Sequence, residues 1–331
     1  MRTTAVLFFI LLTVKLCGQD IHFSQFQQMP LHYSPAQTGM FDGDLRFAGI
    51  QRTQWKSVTT PFVTFGAAVD FKNPLGKQDW NAGLFIMQDR AGDSQFNTFQ
   101  LNFSLSREFH LSDSETILAG TQIGLTQKRI DIDALKFDNQ WNGFQFDPNL
   151  DPNEVLNQEG ISYLQLNLGG AYQKNFDGRN KFMGAIGIYQ WSSPDVGFYN
   201  ENAPLDARFS FATNATIEIN SEWDARPALM LGLQGKFREL LIGGDVRRIL
   251  MQEKGLWRAM YAGVYLRTRD AGYLLVGMEY DQWNVGLSYD INYSDLDPAS
   301  NGRGGFEFSI VYILKKFRPP TVVKRNCPDY L

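Results

Sequence analysis

Cysteine is nearly absent: the 331-residue chain carries 2, Cys17 and Cys327. That excludes a disulfide framework and a cysteine-based metal cage. Histidine is as scarce, with His22, His32 and His110 making up all 3. Neither a G-x-S-x-G elbow nor an H-E-x-x-H motif occurs. A barrel enzyme acting on lipids needs a Ser–His type site on a strand, and no expected strand carries a histidine. The chain is therefore expected not to be an enzyme, with no cofactor and no metal. Long apolar runs are also missing. A membrane helix needs about 20 consecutive apolar residues, and nothing beyond the N-terminus approaches that. Positive charge is not in excess either, and a net charge of −4 argues against nucleic acid as a partner.

Aromatic residues and glycine are plentiful: 26 Phe, 13 Tyr, 7 Trp and 30 Gly. Mean hydropathy is nevertheless only −0.27. Both facts fit a chain that hides its hydrophobicity in alternation. Residues 1–18 read as a signal peptide, with Arg2 as the charge and Ala5–Leu12 as the apolar stretch. Cleavage after Gly18 leaves Gln19 first. Lipidation at Cys17 is the alternative, but Leu16 precedes it where a small residue is wanted.

Between Trp283 and Ser294 apolar and polar residues alternate without a slip. A period of two puts Trp283, Val285, Leu287, Tyr289, Ile291 and Tyr293 on one face of a strand, and Asn284, Ser288, Asp290 and Asn292 on the other. The same pattern marks thirteen further segments. They are Leu45–Trp55, Val63–Phe71, Ala82–Ile86, Phe99–Leu105, Ile117–Leu125, Leu164–Tyr172, Phe182–Ile188, Phe209–Ile219, Leu229–Leu233, Leu240–Val246, Trp257–Tyr265, Leu274–Tyr280 and Phe306–Leu314. Links from even to odd segments are short, and the long links all run from odd to even. Outer-membrane barrels sort their connections this way, with short periplasmic turns and longer outer loops. The expectation is a single all-β, transmembrane antiparallel β-barrel of about 14 strands over residues 43–317, in the bacterial outer membrane. Both termini are expected in the periplasm, the long loops outside, and a periplasmic tail over 318–331.

Residues 19–42 precede the first strand and hold Phe23, Phe26, Met29, Leu31, Tyr33 and Phe41. They form either a periplasmic lead-in or a plug whose aromatics enter the lumen. A barrel of this size leaves an interior wider than its side chains fill, which favours partial plugging. Inward charges at Asp70, Glu218, Asp245, Arg247, Asp290 and Glu307 are then expected to satisfy the segment. The link Arg129–Gly160 is too long for a structureless loop. A short helix is expected within Asp133–Trp141. Phe137, Trp141, Phe144 and Phe146 put unusual aromatic surface there, for covering the mouth or binding a partner. Asp147, Asn149, Asp151 and Asn153 alternate like the start of a calcium loop. Pro152 and Gln158 stand where that loop needs Gly and Glu, so a polar turn is the better assignment.

The ends of the chain carry a family resemblance. Tyr33-Ser34-Pro35-Ala36 with Gly39 resembles the N-P-A-x-x-G stretch of the PorP/SprF family, Ser34 standing in place of Asn. Arg52-Thr53-Gln54-Trp55 resembles its R-x-Q-W segment. Tyr289-Asp290-Ile291-Asn292-Tyr293-Ser294-Asp295-Leu296 is similar to its Y-D-x-N-x-S-x-L motif. Gly304, Gly305 and Glu307 match its G-G-x-E, and Cys327-Pro328 its C-P tail. These motif residues are expected to be structural. The resemblance implies an outer-membrane component of type IX secretion. Its expected partners are outer-membrane lipid, periplasmic or outer-membrane secretion components, and a cognate secreted, gliding or adhesion protein with a C-terminal sorting domain. The role implied is companion and surface anchor, or a link between the apparatus and the outer membrane. A small-solute channel is the alternative.

Overall fold

A strand with one apolar and one polar face can satisfy its backbone inside a bilayer only in a sheet without edges. The computed structural model of this chain is such a sheet. It describes residues 21–54, 60–74, 79–92, 95–131, 135–151, 159–198, 202–253, 255–293 and 303–315. The strands are β1 (Leu45–Gln54), β2 (Phe62–Lys72), β3 (Trp80–Ala91), β4 (Phe96–His110), β5 (Glu115–Arg129), β6 (Gly160–Asn175) and β7 (Lys181–Tyr189). They continue with β8 (Arg208–Glu218), β9 (Trp223–Gln234), β10 (Phe237–Glu253), β11 (Leu256–Arg267), β12 (Ala271–Tyr280), β13 (Trp283–Asn292) and β14 (Arg303–Leu314). Each pairs antiparallel with its sequence neighbours. β1 closes on β14 from Leu45↔Leu314 to Thr53↔Phe306, giving the expected closed barrel of 14 strands.

One end of the barrel carries the even-to-odd turns, such as Asp281-Gln282, where Asp281 adopts a left-handed φ of 53°. β1 begins and β14 finishes at this turn end. The other end carries the long connections after β5 and β7. No helix among the described residues is long and apolar enough to cross a membrane.

The period of two sorts the side chains as elementary geometry requires. Phe65, Phe103, Ile123, Leu164, Ile186, Val276 and Phe306 lie exposed on the outer wall. Thr64, Ser104, Gln122, Asn167, Ser210 and Ser288 are buried on the inner one. Strand β11 departs from the expectation. Alternation read with Trp257, Tyr261 and Tyr265 as the apolar set of that segment puts the two tyrosines on the outer face, but they point inward and are buried, and Met260, Val264 and Leu266 face out. The hydroxyls explain the choice. Tyr265 donates to Asp245 Oδ2 at 3.1 Å and Tyr261 to Asn284 Oδ1 at 2.8 Å, partners that a bilayer lacks.

The short helix expected within Asp133–Trp141 is smaller than expected. Among the described residues it is a single 3-10 turn, Asp138–Gln140. The Gln140 side chain accepts from the Phe137 N–H at 3.1 Å, closing the turn locally.

Candidate functional site

Residues 21–42 lie against the inner wall of the barrel. They contain three 3-10 turns, Phe26–Gln28, Pro30–His32 and Pro35–Gln37. Prolines at the starts of the second and third keep the segment from forming one long helix. The segment starts in the half of the barrel nearest the long loops and descends to the turn end, where it enters β1. Phe23, Phe26, Met29, Leu31, Tyr33 and Ala36 are all buried. Phe26 and Tyr33 pack with Met230, Leu241, Tyr265 and Tyr273 on one side of the wall. Phe23, Met29 and Leu31 pack with Ile50, Phe85 and Met87 on the other.

The polar contacts come from around the circumference. On β14, Glu307 accepts from the backbone N–H of Ser24 at 2.9 Å and of Gln25 at 2.6 Å. On β13, Asp290 accepts from Ser24 Oγ at 2.9 Å. On β12, the Tyr273 hydroxyl donates to the Ser24 carbonyl at 2.6 Å. Gln122 on β5 and Tyr189 on β7 both donate to the Leu31 carbonyl at 3.4 Å. Ser210 on β8 donates to the Tyr33 carbonyl. Ser106 on β4 donates to the Thr38 carbonyl at 2.7 Å. A segment with little secondary structure must find partners for its buried peptide groups, and here the inner wall supplies many of them.

Small residues on the wall let the segment approach. A Cβ on Gly120 of β5 would stand 2.5 Å from the backbone of Pro35 and Ala36, and one on Gly169 of β6 would stand 2.5 Å from Ser34 Oγ. On Gly187 of β7 it would collide with the Tyr33 carbonyl.

A charged cluster anchors the upper part of the segment. Arg52 of β1 donates to Asp290 Oδ2 at 2.8 Å and to Ser24 Oγ at 3.0 Å, and lies 3.7 Å from Glu307. Arg267 of β11 donates to Ser24 Oγ at 2.7 Å and meets Glu239 of β10 at 3.1 Å. With its amide oxygen turned to Arg52, Gln54 accepts from Arg52 Nε at 3.1 Å. All these charges are buried, so each depends on the others for its solvation. Nearer the turn end, Asp70 of β2 accepts from the Gly39 N–H at 2.7 Å and from two nitrogens of Arg46 at 2.8 Å. Gly39 has φ +76°, and an added Cβ would overlap Asn81. Only glycine fits there.

The expected inward charges divide into two groups. Asp70, Asp290 and Glu307 bind the segment. Asp245 and Arg247 bind other wall groups instead, and Glu218 binds a residue of the β6–β7 turn. Asp245 pairs with Arg226, and Arg226 reaches Glu279 at 2.8 Å. Arg247 bridges Asp224 at 2.6 Å and Glu279 at 3.1 Å. Glu218 meets Arg179 at 3.3 Å. Wall charges satisfying each other across strands need no ligand.

Several motif residues thus come together from the two ends of the chain. Arg52, Gln54, Asp290 and Glu307 share one cluster. Gly304 and Gly305 begin β14 beside it, where a Cβ on Gly305 would stand 2.9 Å from Gln54 Cγ. Pro35, Ala36 and Gly39 lie lower in the lumen. Tyr289 faces outward and Asn292 is half-buried near the loop end. Trp55, Ser294 and Cys327 fall outside the described residues. Ser24, Gln25, Arg267, Glu239 and Tyr273 belong to the cluster and were not expected. Arg267 alone carried a signal, as a charged residue on the same strand face as Tyr261 and Tyr265.

The aromatic loop residues stand apart from the lumen. Trp141 bridges Phe146 in a small hairpin with Gly143 at its tip, at φ +97°. Asn142 Oδ1 accepts from the N–H groups of Phe144 and Gln145, both at 3.0 Å. This turn leaves Phe144 92% exposed and Trp141 58% exposed. Phe137 and Phe146 are half-buried, and Lys136 lies over the Phe146 ring. Asp147 and Asn149 bond to each other in a turn at 2.9 Å. No group of three metal-ligating side chains occurs among the described residues.

A family model described as "Type IX secretion system membrane protein PorP/SprF" matches residues 16–312. No curated protein matches the chain. Among solved structures it is similar to the deltaS2 mutant of TodX, a monoaromatic hydrocarbon channel, at 10% identity and a TM-score of 0.50, covering 88% of this chain and 94% of that one. The CymD monoaromatic hydrocarbon channel gives 8% identity and a TM-score of 0.50, with the same coverage of 88% and 94%. The toluene transporter TodX of Pseudomonas putida gives 9% and 0.50, covering 85% and 91%. At such identity these likenesses concern the barrel fold alone.

Proposed function

This chain belongs to the PorP/SprF family of type IX secretion system membrane proteins, and from that premise we propose that it is a non-enzymatic, plugged outer-membrane barrel that retains a cognate secreted protein at the cell surface. The long-loop end faces outward and the turn end faces the periplasm, following the asymmetry of outer-membrane barrels. The outer loops, with Trp141 and Phe144 foremost, receive a cargo bearing a C-terminal sorting domain. The turn end meets periplasmic or outer-membrane components of the secretion apparatus.

The observation that carries the proposal is the ring of contacts on residues 21–42. A solute channel needs a clear path, whereas this lumen holds a folded segment bonded to strands on every side. A filled barrel serves as a rigid scaffold for its loops. The test is deletion of the gene. The expected result is loss of one large surface protein, restored by the full chain, with small-solute uptake unchanged. Unchanged surface display with impaired uptake of a small solute would establish the channel instead.

A further inference from the structure

Toward the loop end, the outer wall of β3–β5 carries a row of residues that does not suit hydrocarbon. Arg90 of β3 is directly paired with Asn97 of β4, and Asn97 with Arg129 of β5. All three alternate with inward residues such as Thr98 and so point away from the lumen. The next outward row toward the turn end is Gln88, Phe99 and Gln127, and the one after it is Ile86, Leu101 and Leu125. The Arg–Asn–Arg row therefore lies at the loop-end border of the apolar band, at headgroup level.

The row opens onto a cavity of about 260 Å³, walled also by Gln95, Asp131 and Glu159. The guanidinium groups of Arg90 and Arg129 make no hydrogen bond or ion pair with any described residue. Asn97 Oδ1 is buried and has no hydrogen-bond partner among the described residues. A buried acceptor without a donor is unfavourable, and the guanidiniums of β3 and β5, flanking Asn97 on the strand between them, make a basic site suited to phosphate.

We infer that this row binds the headgroup of a phosphorylated glycolipid in the surrounding leaflet. Arg90 and Arg129 take the phosphate. Asn97 Oδ1 accepts from a hydroxyl or amide of the sugar ring that carries the phosphate. Asp131 and Glu159, on the loop side, accept further sugar hydroxyls. The proposed orientation decides only which leaflet supplies the lipid. The binding chemistry stands without it.

The test uses the full barrel, purified in detergent and immobilised. It is washed with mixed micelles holding bisphosphorylated lipid A, its dephosphorylated form, or phosphatidylglycerol. Retained lipid is measured by mass spectrometry. The wild-type barrel is expected to retain the phosphorylated glycolipid at least tenfold over both others. Arg90→Gln with Arg129→Gln should abolish that preference, and Asn97→Leu should lower retention toward the phosphatidylglycerol level. Heat-modifiable migration on gels reports whether each variant is folded. Should the double variant not fold, the lipid panel on the wild-type barrel and Asn97→Leu still decide. Equal retention of the dephosphorylated lipid, or of phosphatidylglycerol, would overturn the proposal. Micelles have no sidedness, so failure here is separate from failure of the orientation, which labelling of Phe144→Cys on intact cells decides.

Discussion

At the scale of single residues, Arg52 is the residue with most at stake. It stands between Asp290 and Glu307, two carboxylates sealed from water, and it also holds Ser24. Removing one partner of a buried ion cluster leaves the others uncompensated, at a cost of about 3–5 kcal/mol. Arg52→Met is therefore expected to lower the unfolding temperature of the detergent-solubilised barrel markedly. It should also expose residues 21–42 to protease before the barrel itself unfolds. A variant as stable and as protected as the wild type would show that the cluster is incidental. The pair Asp42–Lys315, at 2.5 Å, is a contrast. It ties the chain entering β1 to the end of β14. The Lys315 ammonium holds the Asp42 carboxyl below its ordinary range. A depressed carboxyl stabilises the fold above the unfolded value and loses that stabilisation as pH falls through the depressed one. Both side chains are largely in water, so the contribution is at most about 1 kcal/mol. Asp42→Asn should leave the unfolding temperature at neutral pH almost unchanged, and should flatten only the acid limb of a stability–pH curve.

At the scale of elements, the plug proposal makes a direct electrical prediction. The full barrel in a planar bilayer should be nearly silent, and a chain lacking residues 21–41 should conduct. Gly120→Val offers the same test without a deletion, because the new side chain would occupy the place of Pro35 and Ala36. Equal conductance in wild type and both variants would mean that the segment does not close the lumen. How far these elements could be foreseen follows from the range of the signals. Strand existence, count and most facings were legible because a period of two is local and repeats within each strand. Strand β11 misled because Tyr261 and Tyr265 count as apolar by ring and as polar by hydroxyl, and inside the lumen the hydroxyl decides. The charged cluster was legible only in part. Arg52, Asp290 and Glu307 could be picked out by motif and alternation, but their meeting on Ser24 joins residues hundreds of positions apart and has no local signature. The glycines that admit the segment were visible on the polar faces. Nothing in their spacing said what would press against them.

At the scale of the whole molecule, the barrel separates two kinds of surface that the proposed companion role needs. In the plugged barrel proposed above, many of the described lumen charges pair with each other, so a macromolecular partner is expected at the rims. Exposed aromatics occur at both rims, Phe176 in the β6–β7 turn among them, but Phe144, at 92% the most exposed aromatic among the described residues, is at the loop end. Trp141 and Phe144 sit on a hairpin held by the Asn142 turn and are largely exposed, so their truncation is expected to leave the strands intact. Exposed aromatic side chains on a rigid support are the usual energetic centre of a protein interface, and truncating one commonly costs about 2 kcal/mol or more. That corresponds to about a thirtyfold loss of affinity. Trp141→Ala with Phe144→Ala is therefore expected to release the cognate surface protein into the medium, while gel migration, unfolding temperature and electrical silence stay as in the wild type. The comparison that decides is a charge change at the opposite rim, such as Asp113→Lys in the exposed turn before β5. If retention at the surface depends on the turn-end change and not on the aromatic pair, the cargo is held from the periplasmic side and the loop face serves another purpose.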